Sequence, residues 1–133
     1  MSGASADAGM TRWIVDGMNV IGSRPNGWWR DRPGAMRALT DELGELAGAS
    51  GDELTVVFDG RPFELEAPAG VKVEFATRRG PNAADDDIAV LVERDDDPAG
   101  LTVVTSDHAL ASRVRAAGAS VVGAGEFRTK LDG

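Results

Sequence analysis

Short runs of β-branched and aromatic residues recur along the chain, separated by stretches in which apolar residues fall three or four positions apart. The runs are "TRWIVD" (11–16), "ELTVVFD" (53–59), "VKVEFA" (71–76), "LTVVTS" (101–106) and "ASVVG" (119–123), and each predicts a strand. Residues 34–48 place Met36, Leu39, Leu43, Leu46 and Ala47 at helical spacing. Helices are also predicted over 83–94 and 107–117, the latter stopped by Gly118 at a natural C′ position. "GEFRTKL" predicts a terminal helical turn. The first strand leads into a Gly/Pro/Asn-rich loop through "GSRPNGWWRDRPG", and a Pro/Gly-containing turn region joins the second and third strands. Strands of near-continuous Val, Ile and Phe content separated by helices imply an α/β fold. The expected architecture is three layers, α/β/α, around a mostly parallel sheet of about five strands.

The bulk composition narrows the class without naming a function. The chain of 133 residues fits one domain over 11–133, behind a leader, "MSGASADAGM", expected to be flexible. That leader has neither the basic start nor the apolar core of a signal peptide, and no apolar run approaches the ~20 residues of a membrane span. The absence of cysteine excludes a disulfide framework, a thiolate nucleophile and a Cys-based zinc site. A cytoplasmic protein with no membrane partner, monomeric or homodimeric, is the expectation. The net charge of −8 argues against nucleic-acid binding through general basicity, but carboxylates gathered around divalent cations would produce the same excess.

Where the acids fall is more informative. Ligands of open α/β sheets bind beyond the carboxyl ends of the strands. Asp16 ends the first strand, Asp59 ends the second, Asp107 follows "LTVVTS", and "DDD" at 85–87 opens the helix after "VKVEFA". All four positions therefore project toward one sheet edge. With about 100° per residue and Ile88 set at zero, Asp85 lies near +60°, bordering the apolar face of Ala84, Ile88, Leu91 and Val92. Asp87 falls near −100° and Asp86 near 160°, almost directly outward, at the same spacing. Each acid also has a plainer reading. Asp16 and Asp59 precede glycines, as turn residues do. The triplet follows Asn82, a candidate cap, in a first turn that favours acids, and Asp107 can belong to a helix start capped by Ser106. The second triplet, Asp95 to Asp97, is expected to be a solvated turn. Carboxylates packed together repel and take up protons unless a hard cation such as Mg²⁺ or Mn²⁺ joins them.

The segments "IVDGMNVIG", "VVFDG", "AADDDI" and "VVTSDHALASRVRAAGASVVG" occur in that order. They resemble the YacP-like branch of the NYN domain, within the PIN-like nuclease fold, and the likeness spans Arg12 to Leu131. The resemblance implies a metal-dependent endoribonuclease, or an RNA-binding module of the same fold, with an acidic pocket at the carboxyl edge of the sheet. Asp16, Asp85 and Asp107 would then hold Mg²⁺ or Mn²⁺, with Asp86 a lesser candidate acting through water. Asp59 would be a further acid, and Asn19 would orient Asp16 or a metal water, a water that Thr105 or Ser106 could also bond. Ribosome association would follow by analogy alone. Two departures stand out: Ala83 replaces the threonine that often opens this helix, removing a cap. Little chain also follows Leu131 to supply a tail contact.

Single-stranded RNA is the expected substrate. Trp28 and Trp29 are candidates to stack on unpaired bases, with Arg24, Arg30, Arg32, Arg78 and Arg79 on phosphates. One of the two tryptophans is expected to cover the core instead. Other classes fit less well. No GxGxxG follows the first strand, there is no P-loop, and the only histidine, His108, sits at a helix start with a surface position expected. An aspartyl-phosphate receiver or phosphatase using Asp59 or Asp16 is the nearest enzymatic rival, although Met18 stands where a phosphatase of the haloacid-dehalogenase type needs an acid.

Overall fold

In a computed structural model of the chain, which describes residues 11–78, 80 and 82–133, the five predicted runs form one sheet. Strands β1 (Arg12–Asp16), β2 (Glu53–Phe58), β3 (Val71–Phe75), β4 (Leu101–Val104) and β5 (Ser120–Val122) are all parallel, in the order β3-β2-β1-β4-β5. The helices are α1 (Gly17–Gly22), α2 (Arg32–Ser50), α3 (Ala83–Arg94), α4 (His108–Ala116) and α5 (Ala124–Asp132), with a 3₁₀ turn at Trp28–Arg30. The chain builds outward from β1 to β3, returns through α3, and places β4 on the other side of β1. The switch point where ligands of such sheets bind thus falls between β1 and β4. This order also differs from the 2-1-3-4-5 arrangement of receiver-type folds.

Strand alternation sends consecutive side chains to opposite layers. Trp13, Val15, Leu54, Val56, Phe58 and Val104 pack with α1, α2 and α5 through Val20, Leu39, Leu43 and Phe127. Ile14, Val57, Leu101 and Val103 pack with α3 and α4 through Ile88, Val92, Leu110 and Val114. By the same period of two, Asp16 follows Ile14, Asp59 follows Val57 and Thr105 follows Val103 onto the α3/α4 side. The candidate residues at the carboxyl edge therefore share one face.

Three expectations needed correction. Residues 17–22 are helical and not part of a loop, since β1 passes directly into α1, which buries Val20 and Ile21. The terminal turn is a nine-residue helix that buries Phe127 completely. As the sequence predicts, the link from β2 to β3 contains no helix. It crosses as irregular chain, anchored by half-buried Phe63 and Leu65. Asp95, expected in a solvated turn, instead receives both Arg12 Nη1 at 2.9 Å and Nη2 at 3.0 Å, and accepts the Asp97 N–H. Its pKa lies below the ordinary value, first because of the Arg12 hydrogen bond. The guanidinium offsets the unfavourable helix C-terminal position and ties it to β1. No helix among the described residues is long and apolar enough to cross a membrane.

The entry into α1 depends on a close approach. A Cβ on Gly17 would stand 2.5 Å from Phe58 Cδ1 and Cε1 and 3.0 Å from Val56 Cγ2. Phe58 is fully buried and has no room to retreat. Gly17→Ala is expected to destabilise the fold by about 2 kcal/mol through overpacking. Chemical denaturation would show this as a lower midpoint with an unchanged slope.

Candidate functional site

Asp16 is 5% exposed, and one of its oxygens, Oδ2, accepts from Thr105 Oγ1 at 3.0 Å. Thr105 is itself buried, and its hydroxyl oxygen accepts the Asp107 N–H at 3.1 Å. This side chain therefore couples the end of β1 to the turn after β4. Asp107, and not Ser106, caps α4, with Oδ1 accepting from Leu110 N at 2.8 Å. Ser106 Oγ accepts from Ala124 N at 2.9 Å and so starts α5. Asn19 joins the same turn. Its Oδ1 accepts from Ser106 N at 2.7 Å, fastening α1 to the β4–α4 turn, while its backbone N–H helps to stabilise the Asp16 carboxylate.

Asp59 reaches across from β2 to the start of α3, where Oδ1 accepts from Ala84 N at 3.0 Å. Asn82 makes no side-chain cap and sits instead in left-handed backbone, φ 64°. The cap that Ala83 cannot provide is thus partly replaced by a residue distant in sequence. Thr105, Ala84 and Leu110 each engage a single oxygen of Asp16, Asp59 and Asp107 respectively. Asp85, half-buried, opens α3 and shares a small cleft with Asp107 and Arg113.

The electrostatics show that these acids sense one another. Burial raises the Asp16 pKa to about 7, with further upward pushes from Asp85 and Asp59, against the Thr105 hydroxyl and Asn19 N–H. The Asp85 pKa is also raised, first by burial, then by Asp107, Asp59 and Asp86, with Arg113 opposing. Asp86 does not point freely outward. It is held by Arg78 and by Arg113 Nη1, the latter at 3.0 Å, because α4 packs beside α3. Asp87 accepts from Thr77 N at 2.6 Å and Thr77 Oγ1 at 2.9 Å, closing the turn before α3.

The sequence model of the YacP-like NYN domain matches residues 13–133. The chain belongs to this family. Two crystal structures of Rae1 (YacP) from Bacillus subtilis share the fold of this NYN domain. A point mutant superposes with a TM-score of 0.75 at 24% identity, covering 92% of this chain and 76% of the other. A second structure gives a TM-score of 0.72 at 23% identity, covering 92% and 74%. No curated protein sequence matches the chain. Family membership places the protein among PIN-like nuclease domains and points to a nuclease or RNA-related role.

In this NYN domain the donor set consists of carboxylates, with no thiol, and the sole histidine is exposed. Such oxygen donors suit Mg²⁺ or Mn²⁺ better than zinc. Among the described residues no group of three or more acidic or histidine side chains is placed to hold a metal ion. An open arrangement is compatible with Mg²⁺, which keeps waters and takes one or two protein carboxylates together with substrate phosphate.

Of the predicted RNA contacts, Trp28 is the tryptophan that covers the core, and Trp29 is 56% exposed. Their rings meet edge-on at 5.9 Å, and the Arg32 guanidinium stacks over Trp28 at 5.8 Å. Arg32 Nη2 also lies 3.8 Å from where a Cβ on Gly60 would be, beside Asp59. Arg30 is exposed, whereas Arg24 is paired with Asp132 and Arg78 with Asp86. Arg79 lies outside the described residues. Arg113 escaped the sequence reading. Its place in "SRVRAAG" shows a basic helix, but only the packing of α4 on α3 turns it toward Asp85 and Asp86.

Proposed function

We propose that this protein is an endoribonuclease that uses Mg²⁺ or Mn²⁺ to hydrolyse single-stranded RNA at the carboxyl edge of β1 and β4. The observation that supports this most is that burial raises both carboxyls, with Asp85 and Asp59 adding to the rise at Asp16, and Asp107, Asp59 and Asp86 adding to it at Asp85 against Arg113. Such a site favours a divalent cation over its own charge.

Asp16 and Asp85 would hold the metal, while Asp107 and Asp59 add negative charge around Asp85. When bound, the cation lowers the cost of ionising water and shields the attacked phosphodiester. Thr105 fixes the Asp16 carboxylate, and Asn19 fixes the turn that carries Asp107. Asp59 secures the first turn of α3, and with it the direction of Asp85. Arg113 and Arg78 neutralise Asp86, which limits repulsion against an incoming phosphate. Trp29 offers an exposed ring for an unpaired base, and Arg32 a cation beside Asp59.

Labelled single-stranded RNA incubated with the protein is expected to be cut in Mn²⁺ or Mg²⁺ and to stay intact in chelator. RNA that is bound but never cut in either condition would replace this reading with that of a binding module.

A further inference from the structure

One edge of the sheet carries a pattern that the acidic site does not use. β3 is the outermost strand beyond β2, and it reads Val71-Lys72-Val73-Glu74-Phe75. The backbone bonds around it fix which groups face outward. Gly70 O accepts from Leu54 N at 3.0 Å, and Ala76 N donates to Phe58 O at 2.8 Å, so even-numbered residues turn their backbone groups to β2. Odd-numbered residues of the same strand turn theirs the other way. Val73 and Phe75 therefore present N–H and C=O to the open edge, together with the Val71 C=O, whereas Val71 N is closed by Pro68 O.

The chain that precedes β3 lies against α2. Pro68 Cγ is 2.5 Å from the place of a Cβ on Gly44, and Ala47 Cβ is 2.8 Å from that of one on Gly70. Among the described residues no backbone group of this link bonds to Val73 or Phe75. Lys72 and Glu74 stand on the face that α3 leaves open, where they line a cleft of about 160 Å³ with Thr55 and Leu91. They pair with each other at 3.3 Å, and the Lys72 side chain is 72% exposed.

Charges on an edge strand commonly guard it against pairing, but their order here favours one register. In an antiparallel pair of β3 strands, odd residues must face odd ones, because only these offer outward bonds. With the pair centred on Val73, Lys72 of each copy stands opposite Glu74 of the other. That is a non-hydrogen-bonded position, where facing side chains come closest. Centring the pair on Lys72 or on Glu74 would set like charges opposite each other. In the Val73 register the two Val73 residues exchange both bonds, and Phe75 N of each copy donates to the Val71 C=O of the other.

We propose that β3 is a homodimer interface, in which two copies join edge to edge about a two-fold axis at Val73. The occupant is a second copy because the charge order of this strand is complementary to its own reverse. The facing charges cancel, which lets two chains of net charge −8 approach here. The paired strands run in opposite directions, so the two acidic sites point to opposite ends of the joined sheet and stay open. The interface is therefore independent of the nuclease reading.

Sedimentation equilibrium over a concentration series tests it. The wild-type protein is expected to dimerise at micromolar concentrations. Lys72→Glu and Glu74→Lys each turn both attractive pairs into repulsive ones, and each is expected to weaken the dimer roughly thirtyfold. An equal mixture of these two variants should dimerise again, since every facing pair is then Glu against Lys. The double variant Lys72→Glu/Glu74→Lys should dimerise like the wild type for the same reason, and a misfolded chain could not imitate either rescue. A wild-type protein that stays monomeric overturns the interface. So does a dimer that tolerates both single reversals, or one that neither the mixture nor the double variant restores.

Discussion

Replacing Asp16 with asparagine is expected to abolish the proposed RNA cleavage and, at pH 7 without divalent cations, to raise the melting temperature. The carboxyl titrates at about 7 in the fold against an ordinary 3.8. The native state therefore binds the extra proton between these values, and stability falls as pH rises from about 4 to 7, then levels off. Ionising a carboxyl that is 5% exposed beside Asp85 and Asp59 is the cause. Asparagine keeps the shape and can still accept from Thr105 Oγ1, while carrying no charge. Relief on the order of 3 kcal/mol, or roughly 10 °C, is expected at pH 7, and almost none at pH 4. Adding Mn²⁺ should raise the melting temperature of the wild-type protein and leave Asp16→Asn unmoved, since binding to the native state alone stabilises it. Thermal scans at the two pH values, with and without Mn²⁺, test this directly. Equal melting temperatures for the two proteins at pH 7 would show that the Asp16 charge carries no burden in the fold.

Phe127→Ala is expected to lower stability by about 4 kcal/mol, the cost of cutting a large core aromatic to a methyl. Phe127 is fully buried, and its ring centroid lies 5.2 Å from that of Trp13. Trp13 is pinned in turn by Asp52 Oδ2, which accepts from its indole N–H at 2.9 Å, so the pair has little freedom to close the space. The substitution also bears on the site. Ser106 Oγ accepts the first N–H of α5, and Ser106 N donates to Asn19. Loosening α5 is therefore expected to reduce the proposed cleavage as well as the urea midpoint. A midpoint within the range of surface substitutions would show that α5 packs only as a frayed end.

Much of the strand and helix content was legible because the signals are local. "LTVVF" and "LTVV" are buried on both faces, and Ala83–Arg94 appeared with the predicted bounds. Helix α1 was hidden because six residues between glycines carry too little periodicity, and its stability comes from Val20 and Ile21 packing into the core. The single wheel for α3 placed Asp85 at the border of the buried face. It placed Asp86 in solvent, because a wheel cannot include a neighbouring helix that carries Arg113. The cap of α3 was unreadable for a similar reason, since Asp59 and Ala84 are brought together only by the sheet. Choosing Trp29 as the exposed tryptophan likewise required the 3₁₀ turn that presses Trp28 toward Gly22.

The sequence by itself determined the alternating α/β pattern, the acids at the carboxyl ends of strands, and the motif order that marks the YacP-like NYN family. Periodicity and turn chemistry act over a few residues, and these features are written at that range. The tertiary structure alone decided the strand order β3-β2-β1-β4-β5, which carboxylates share a face, and which arginines are already paired. Those outcomes depend on contacts between residues tens of positions apart. Burial there displaces the Asp16 pKa, and Arg113 reaches Asp86 only because α4 lies against α3.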